Sequence, residues 1–208
     1  MNVLLDHLIA LYGDDVGKSA FESLRDLVTR YASRLPPARA AQLSQRDAIL
    51  ITYGDQVRSQ DEAPLRTLGQ FAERHLRGVV SGIHLLPFYP YSSDDGFSVI
   101  DYRAVDAALG DWQDVEDIGR DFRLMFDAVL NHVSVSSEWF RRFLQDDPRY
   151  RDFFIVVPEG AGVSRVIRPR ALPLVTPFTT PSGEKRVWTT FSADQVDLNY
   201  HNPDVLLE

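Results

Sequence analysis

Phe122-Arg123-Leu124-Met125-Phe126-Asp127-Ala128-Val129-Leu130-Asn131-His132 is the stretch that decides the fold. Its first eight residues are mostly apolar, which predicts a strand over 122–129. Alternation puts Asp127 and Val129 on one face. The strand then ends at Asn131-His132, which sets an amide and an imidazole at its carboxyl end. An aspartate in a buried strand is costly unless it accepts hydrogen bonds or pairs with a cation. His132 has the chemistry to donate to a hydroxyl or to move a proton. By residue type alone, a structural cluster and a functional one account equally well for these polar groups.

Two similar runs precede it. Ala48-Ile49-Leu50-Ile51-Thr52-Tyr53 and Gly82-Ile83-His84-Leu85-Leu86 read as strands buried on both faces, the pattern of a parallel sheet. Helical periodicity fills the gaps, over Leu65 to Arg77 and Trp112 to Gly119, and Ser137 caps a helix over Glu138 to Leu144. Strand and helix alternating in this way predict right-handed βαβ units. Ahead of them, apolar residues at helical spacing on both sides of Gly13-Asp14-Asp15 predict a helical hairpin that stops at Pro36-Pro37. Prolines at 158, 169, 173, 177 and 181 exclude a helix over 148–188, leaving an irregular excursion with short antiparallel strands. Asn202-Pro203-Asp204 is a helix start, with only Val205 to Glu208 after it. A helix that short does not form alone, so the sequence is expected to be a fragment cut inside a helix.

Composition narrows the function. With 44% apolar and 25% charged residues the chain can bury a core. A net charge of -8 argues against nucleic acid or an anionic membrane as partner. Cysteine is absent, which excludes disulfide scaffolds and thiolate zinc sites. The amino terminus has neither a basic lead nor a long apolar run, so a cytoplasmic protein is expected.

Two further segments carry chemistry. Pro87-Phe88-Tyr89-Pro90-Tyr91-Ser92-Ser93-Asp94-Asp95-Gly96-Phe97 mixes aromatics, paired acids and a glycine. Sugars use that mixture: aromatic faces pack on pyranose C–H surfaces, and carboxylates accept from vicinal hydroxyls. On composition alone a plain polar loop turning at Asp95-Gly96 accounts for it more readily. Phe191-Ser192-Ala193-Asp194-Gln195-Val196-Asp197-Leu198-Asn199 lines a polar cleft or simply forms turns.

Taken together the segments are similar to the alpha-amylase superfamily, glycoside hydrolase family thirteen. Asp127 to His132 matches its D-x-x-x-N-H segment, and Val196-Asp197-Leu198-Asn199 resembles the D-L-N motif that closes its inserted domain B. Leu50 to Tyr53, Ile83 to Pro90, Asp94 to Asp101 and Arg168-Pro169-Arg170 resemble its sucrose-phosphorylase branch. The likeness covers roughly 46–208. The helical preface resembles the longer glucosylglycerate phosphorylases of that branch.

The resemblance implies an α/β fold: the first three βα units of a TIM (β/α)8 barrel, with an inserted irregular domain B and an N-terminal helical extension. The expected divisions are an extension over 1–37, the first part of the barrel over 46–147, domain B over 148–190 and a return to the barrel over 191–208. It implies a retaining alpha-glucoside phosphorylase, with a hydrolase or transglucosylase as the alternative. A third alternative, from another class, is a truncated sugar-binding module without catalysis. Asp94 would accept from hydroxyls on the far side of the glucosyl unit. Phe97 would wall its ring, and His132 would bond the primary hydroxyl. Phe191 and Gln195 would line the pocket from domain B. Asp127, Asn131 and Asp197 would support, Asp127 by orienting neighbours that include an arginine later in the chain. Nucleophile and acid/base would lie beyond residue 208. No metal or cofactor is implied, inorganic phosphate being a co-substrate. The partners would be a small alpha-glucoside and phosphate. Arg168 and Arg170 are candidates to hold a phosphate or carboxylate, or are surface charges. A chain with an open sheet edge is expected to be inactive alone, and stable only as a homo-oligomer or prone to aggregate.

Overall fold

The structure, a computed structural model, describes residues 3–34, 44–167 and 171–208. Arg168 and Arg170 lie outside the described residues.

The chain opens with two helices, α1 (Val3–Tyr12) and α2 (Asp14–Ala32). Gly13 ends α1 in the left-handed conformation, φ 82°, with its N–H on the Ile9 carbonyl at 2.9 Å. α2 then packs on α1 so closely that a Cβ at Gly17 would stand 2.7 Å from backbone atoms of Leu8 and Ile9. The hairpin reaches the far end of the chain, where the Tyr12 hydroxyl donates to the Tyr200 carbonyl at 3.0 Å.

Next come β1 (Ile49–Thr52), α3 (Pro64–His75), β2 (Gly82–Leu85), α4 (Trp112–Gly119) and β3 (Arg123–Phe126). The strands form one parallel sheet in the order β1-β2-β3. Leu50, Ile83 and Leu124 form a row across it. Ile83, Leu85 and Phe88 are fully buried against Leu65, Leu68 and Ala72 of α3 and Val115 and Ile118 of α4. A capping box starts α4: the Asp111 carboxylate accepts from the Gln113 and Asp114 N–H groups, and Asp114 accepts from the Asp111 N–H. The buried Asp114 also accepts from Arg66 of α3 at 3.0 Å, which joins the two helices.

Two expectations are corrected here. Only β2 is buried on both faces. The row Ile51–His84–Met125 faces the other way, and there Ile49, Ile51 and Met125 are 49%, 62% and 44% exposed. Among the described residues the sheet has three strands, so this apolar face stays open to water. The third strand is also shorter than 122–129. Its partner runs on into Pro87, which has no N–H for the ladder, so β3 ends at Phe126 and 127–131 leave the sheet.

His132 therefore begins a new strand. β4 (His132–Ser134) leads to α5 (Glu138–Leu144), whose Ser137 cap accepts from the Phe140 N–H at 3.2 Å. β5 (Val175–Thr180) and β6 (Gly183–Trp188) form an antiparallel hairpin inside the proline-rich excursion. β7 (Gln195–Asp197) returns to pair antiparallel with β4. A second core binds these pieces: Phe140 meets Phe143, Phe154 and Phe178 with ring centroids 4.8–5.4 Å apart, beside Val133, Val187 and Val196. The last element is α6 (Pro203–Leu207), capped by Asn202, which accepts from the Asp204 N–H at 3.0 Å. No helix among the described residues is long and apolar enough to cross a membrane.

Two outcomes follow from this packing. Gly17→Ala forces α1 and α2 apart and is expected to cost about 1–3 kcal/mol locally. Amide exchange should show α1 losing protection while β2 keeps it. The open apolar face should make the 208-residue chain self-associate as its concentration rises. Sedimentation velocity is expected to show Ile51→Lys shifted toward monomer.

Candidate functional site

Strand register decides what stands at the rim of the sheet. Just past the last paired row, Tyr53, Leu86 and Asp127 follow at the carboxyl ends of the three strands. His84 Nε2 lies 2.9 Å from Asp127 Oδ2. Sequence reasoning missed His84, although a histidine between Ile83 and Leu85 was the one polar break in that strand. Asp127 therefore has its partner within the described chain, and orients a histidine.

The loop after β2 is held in an unusual shape. Asp94, Asp95 and Gly96 are successive left-handed residues, with φ of 59°, 51° and 100°. At Gly96 a Cβ would stand 2.8 Å from the Pro87 carbonyl oxygen, so glycine alone fits. The Phe97 N–H closes the turn on the Asp94 carbonyl at 3.0 Å. This backbone carries the Asp94 carboxylate to the Gln195 amide, which donates to its Oδ2 at 3.0 Å.

β4 and β7 supply the facing wall. Their pairing sets His132 opposite Asp197 and Ser134 opposite Gln195. His132 Nε2 is 3.0 Å from the Phe97 carbonyl oxygen. A carbonyl only accepts and an amide nitrogen only donates, so according to tautomer Nε2 donates to Phe97 or accepts from Gln195 Nε2 at 3.1 Å. The Ser192 hydroxyl donates to Gln195 Oε1 at 2.9 Å, which fixes the amide's orientation. The Phe191 ring lies 5.0 Å from the His132 ring.

A cavity of about 390 Å³ results, within the range of small-molecule sites. Asp94, Phe97, His132, Phe191 and Gln195 all line it, together with Tyr53 and Asp95, which sequence reasoning did not single out. Burial raises the pKa of the Tyr53 hydroxyl, and the fields of Asp95, Asp127, Asp94 and Asp55 raise it further. Among the described residues the lining has two carboxylates and no lysine or arginine. Such a cavity suits a neutral polyol and repels an anion.

The supporting residues fall outside it. Asp197 is buried in β7 and accepts from the Thr190 N–H at 2.7 Å and its hydroxyl at 2.8 Å. Burial raises its pKa, and the Thr190 bonds oppose that. Asn131 is exposed, and its carbonyl accepts from the Leu198 N–H at 2.9 Å. A larger cavity, about 700 Å³, opens elsewhere beside Tyr102, Trp139 and Tyr150. There Arg103 and Arg149 both grip Glu208, at 2.8 and 2.9 Å, and hold its carboxyl below the usual range. The Glu208 charge is thus met within the chain.

Known proteins share this arrangement of chain. The model of the alpha amylase catalytic domain matches residues 77–208. Glucosylglycerate phosphorylase of Allomeiothermus silvanus is 56% identical over 205 residues, which is 99% of this chain and 36% of that protein. Sucrose phosphorylase of Streptococcus mutans is 33% identical over 163 residues, 73% of this chain and 33% of that protein. The crystal structure of sucrose 6F-phosphate phosphorylase from Thermoanaerobacter thermosaccharolyticum superimposes with a TM-score of 0.71 at 28% identity, covering 80% of this chain and 36% of that one. The chain spans about a third of the length of the curated relatives it matches. With well over half its residues matching the catalytic-domain model, the chain belongs to the alpha-amylase family.

Proposed function

We propose that this chain is the sugar-gripping part of a retaining alpha-glucoside phosphorylase acting on a glucosylglycerate-like donor. The observation that carries the reading is the convergence of Asp94, Phe97, His132, Phe191 and Gln195 on one acidic cavity. Asp94 accepts from two glucosyl hydroxyls, His132 hydrogen-bonds the primary hydroxyl through Nε2 in exchange for its Phe97 or Gln195 contact, and Phe97 and Phe191 cover apolar faces of the ring. β1, β2 and β3 are read as the first three strands of the barrel, and 148–190 as domain B. The match to a glucosylglycerate phosphorylase runs over 99% of this chain, against 73% for a sucrose phosphorylase, which favours the former substrate class.

Retention needs two carboxylates about 5–5.5 Å apart. One attacks the anomeric carbon while the other protonates the leaving oxygen. A phosphate oxygen then displaces the enzyme carboxylate, giving glucose 1-phosphate. Asp127, committed to His84, is neither of these carboxylates. Both are read as coming from the part of the relatives that this chain does not span. Phosphate enters as co-substrate, and its cationic ligands are read as lying outside the described residues of the lining. Phosphate also separates this reading from a hydrolase or transglucosylase, which would not need it.

The test is a chimera that continues this chain with the remainder of the Allomeiothermus silvanus enzyme. It is expected to release glucose 1-phosphate from glucosylglycerate only when phosphate is present, whereas the 208 residues alone turn nothing over. Asp94→Ala removes two charge-assisted hydrogen bonds and should lower kcat/KM by about 100-fold or more. Turnover without phosphate, or an Asp94→Ala chimera of normal activity, would overturn the reading.

A further inference from the structure

The residue just before Gln195 makes a second, separate connection to the loop that carries Asp94. One oxygen of the Asp194 carboxylate accepts from three hydroxyls, those of Ser92, Ser93 and Ser98, the last at 2.8 Å. Ser134 of β4 joins the group, 2.6 Å from the Ser92 oxygen. Ser98 and Ser134 are fully buried.

The protons can be placed. Ser92, Ser93 and Ser98 each donate to Asp194, and Ser134 donates to Ser92 while its own oxygen accepts from the Ser136 N–H at 2.9 Å. Chain order gives the arrangement its point. Ser93 precedes Asp94, and Asp194 precedes Gln195, so the Ser93–Asp194 and Asp94–Gln195 bonds are successive rungs between two loops. One loop holds Asp94 and Phe97, the other Phe191 and Gln195.

We propose that Asp194 is a positioning residue, a charged clasp that locks the two walls of the sugar cavity at a fixed separation. It touches no substrate and does not line the cavity. The serines give it three attachment points on the 92–98 loop, and Ser92 ties in Ser134 of β4, so the walls register on one another before any sugar arrives. Its value for binding rests on the sugar reading above; the clasp itself does not.

Hydrogen exchange on the 208-residue chain tests the clasp. In Asp194→Ala the amides of Phe97, Ser98 and Gln195 are expected to exchange about tenfold faster or more, while those of β1, β2 and β3 stay within about twofold. Asp194→Asn keeps one acceptor oxygen without the charge and should fall between. If the alanine variant fails to fold, the asparagine variant carries the comparison. Unchanged exchange in both variants overturns the proposal, and so does faster exchange spread evenly over the sheet. In the chimera, Asp194→Ala should raise KM for the donor about tenfold with kcat changed much less. Loosened loops with an unchanged KM would overturn the positioning role. An Asp94→Ala chimera of normal activity would instead overturn the sugar reading.

Discussion

Three residues paired with three others make the site possible. β4 and β7 share one short antiparallel ladder, His132 to Ser134 against Gln195 to Asp197. Everything between them, including α5, the aromatic core and the proline-rich hairpin, is a loop closed by that ladder. Its ends are held by packing, since Val133 and Val196 are both buried in the second core. An excursion this long closes only when the contacts at its base outweigh the entropy of closure. The stacked and edge-on rings around Phe140 provide those contacts.

The cavity then has a clear electrostatic division. Asp94 and Asp95 line it, with Asp127 close enough to act on Tyr53, and its imidazole lies against the Phe97 carbonyl and the Gln195 amide. Such a wall orients hydroxyl groups by accepting from them. It leaves anion recognition to other residues. The positive backbone angles at Asp94 and Asp95 are the local cost of aiming a carboxylate inward from a loop.

Much of this was legible in the sequence. The apolar runs gave the three parallel strands, Ser137 and Asn202 gave the starts of α5 and α6, and Gly13 marked the break between α1 and α2. Five of the cavity's side chains were legible through the D-x-x-x-N-H segment and its companions. What stayed hidden depends on register. The His84–Asp127 pair joins residues 43 apart, and the Ser98–Asp194 bond joins residues 96 apart. No periodicity encodes which side chains meet across two loops. The length of β3 was misjudged for a related reason, because the stop lies in its neighbour's Pro87.

The contact between Tyr12 and Tyr200 bears on the order in which the chain folds. It spans 188 positions, nearly the whole sequence. Local helices form in microseconds, and the parallel sheet needs only intermediate closures. The hairpin of α1 and α2 can therefore assemble first and still be the last piece to dock, waiting until the segment around Tyr200 has been placed by β7. Docking of the amino-terminal hairpin is therefore conditional on structure formed at the opposite end of the sequence.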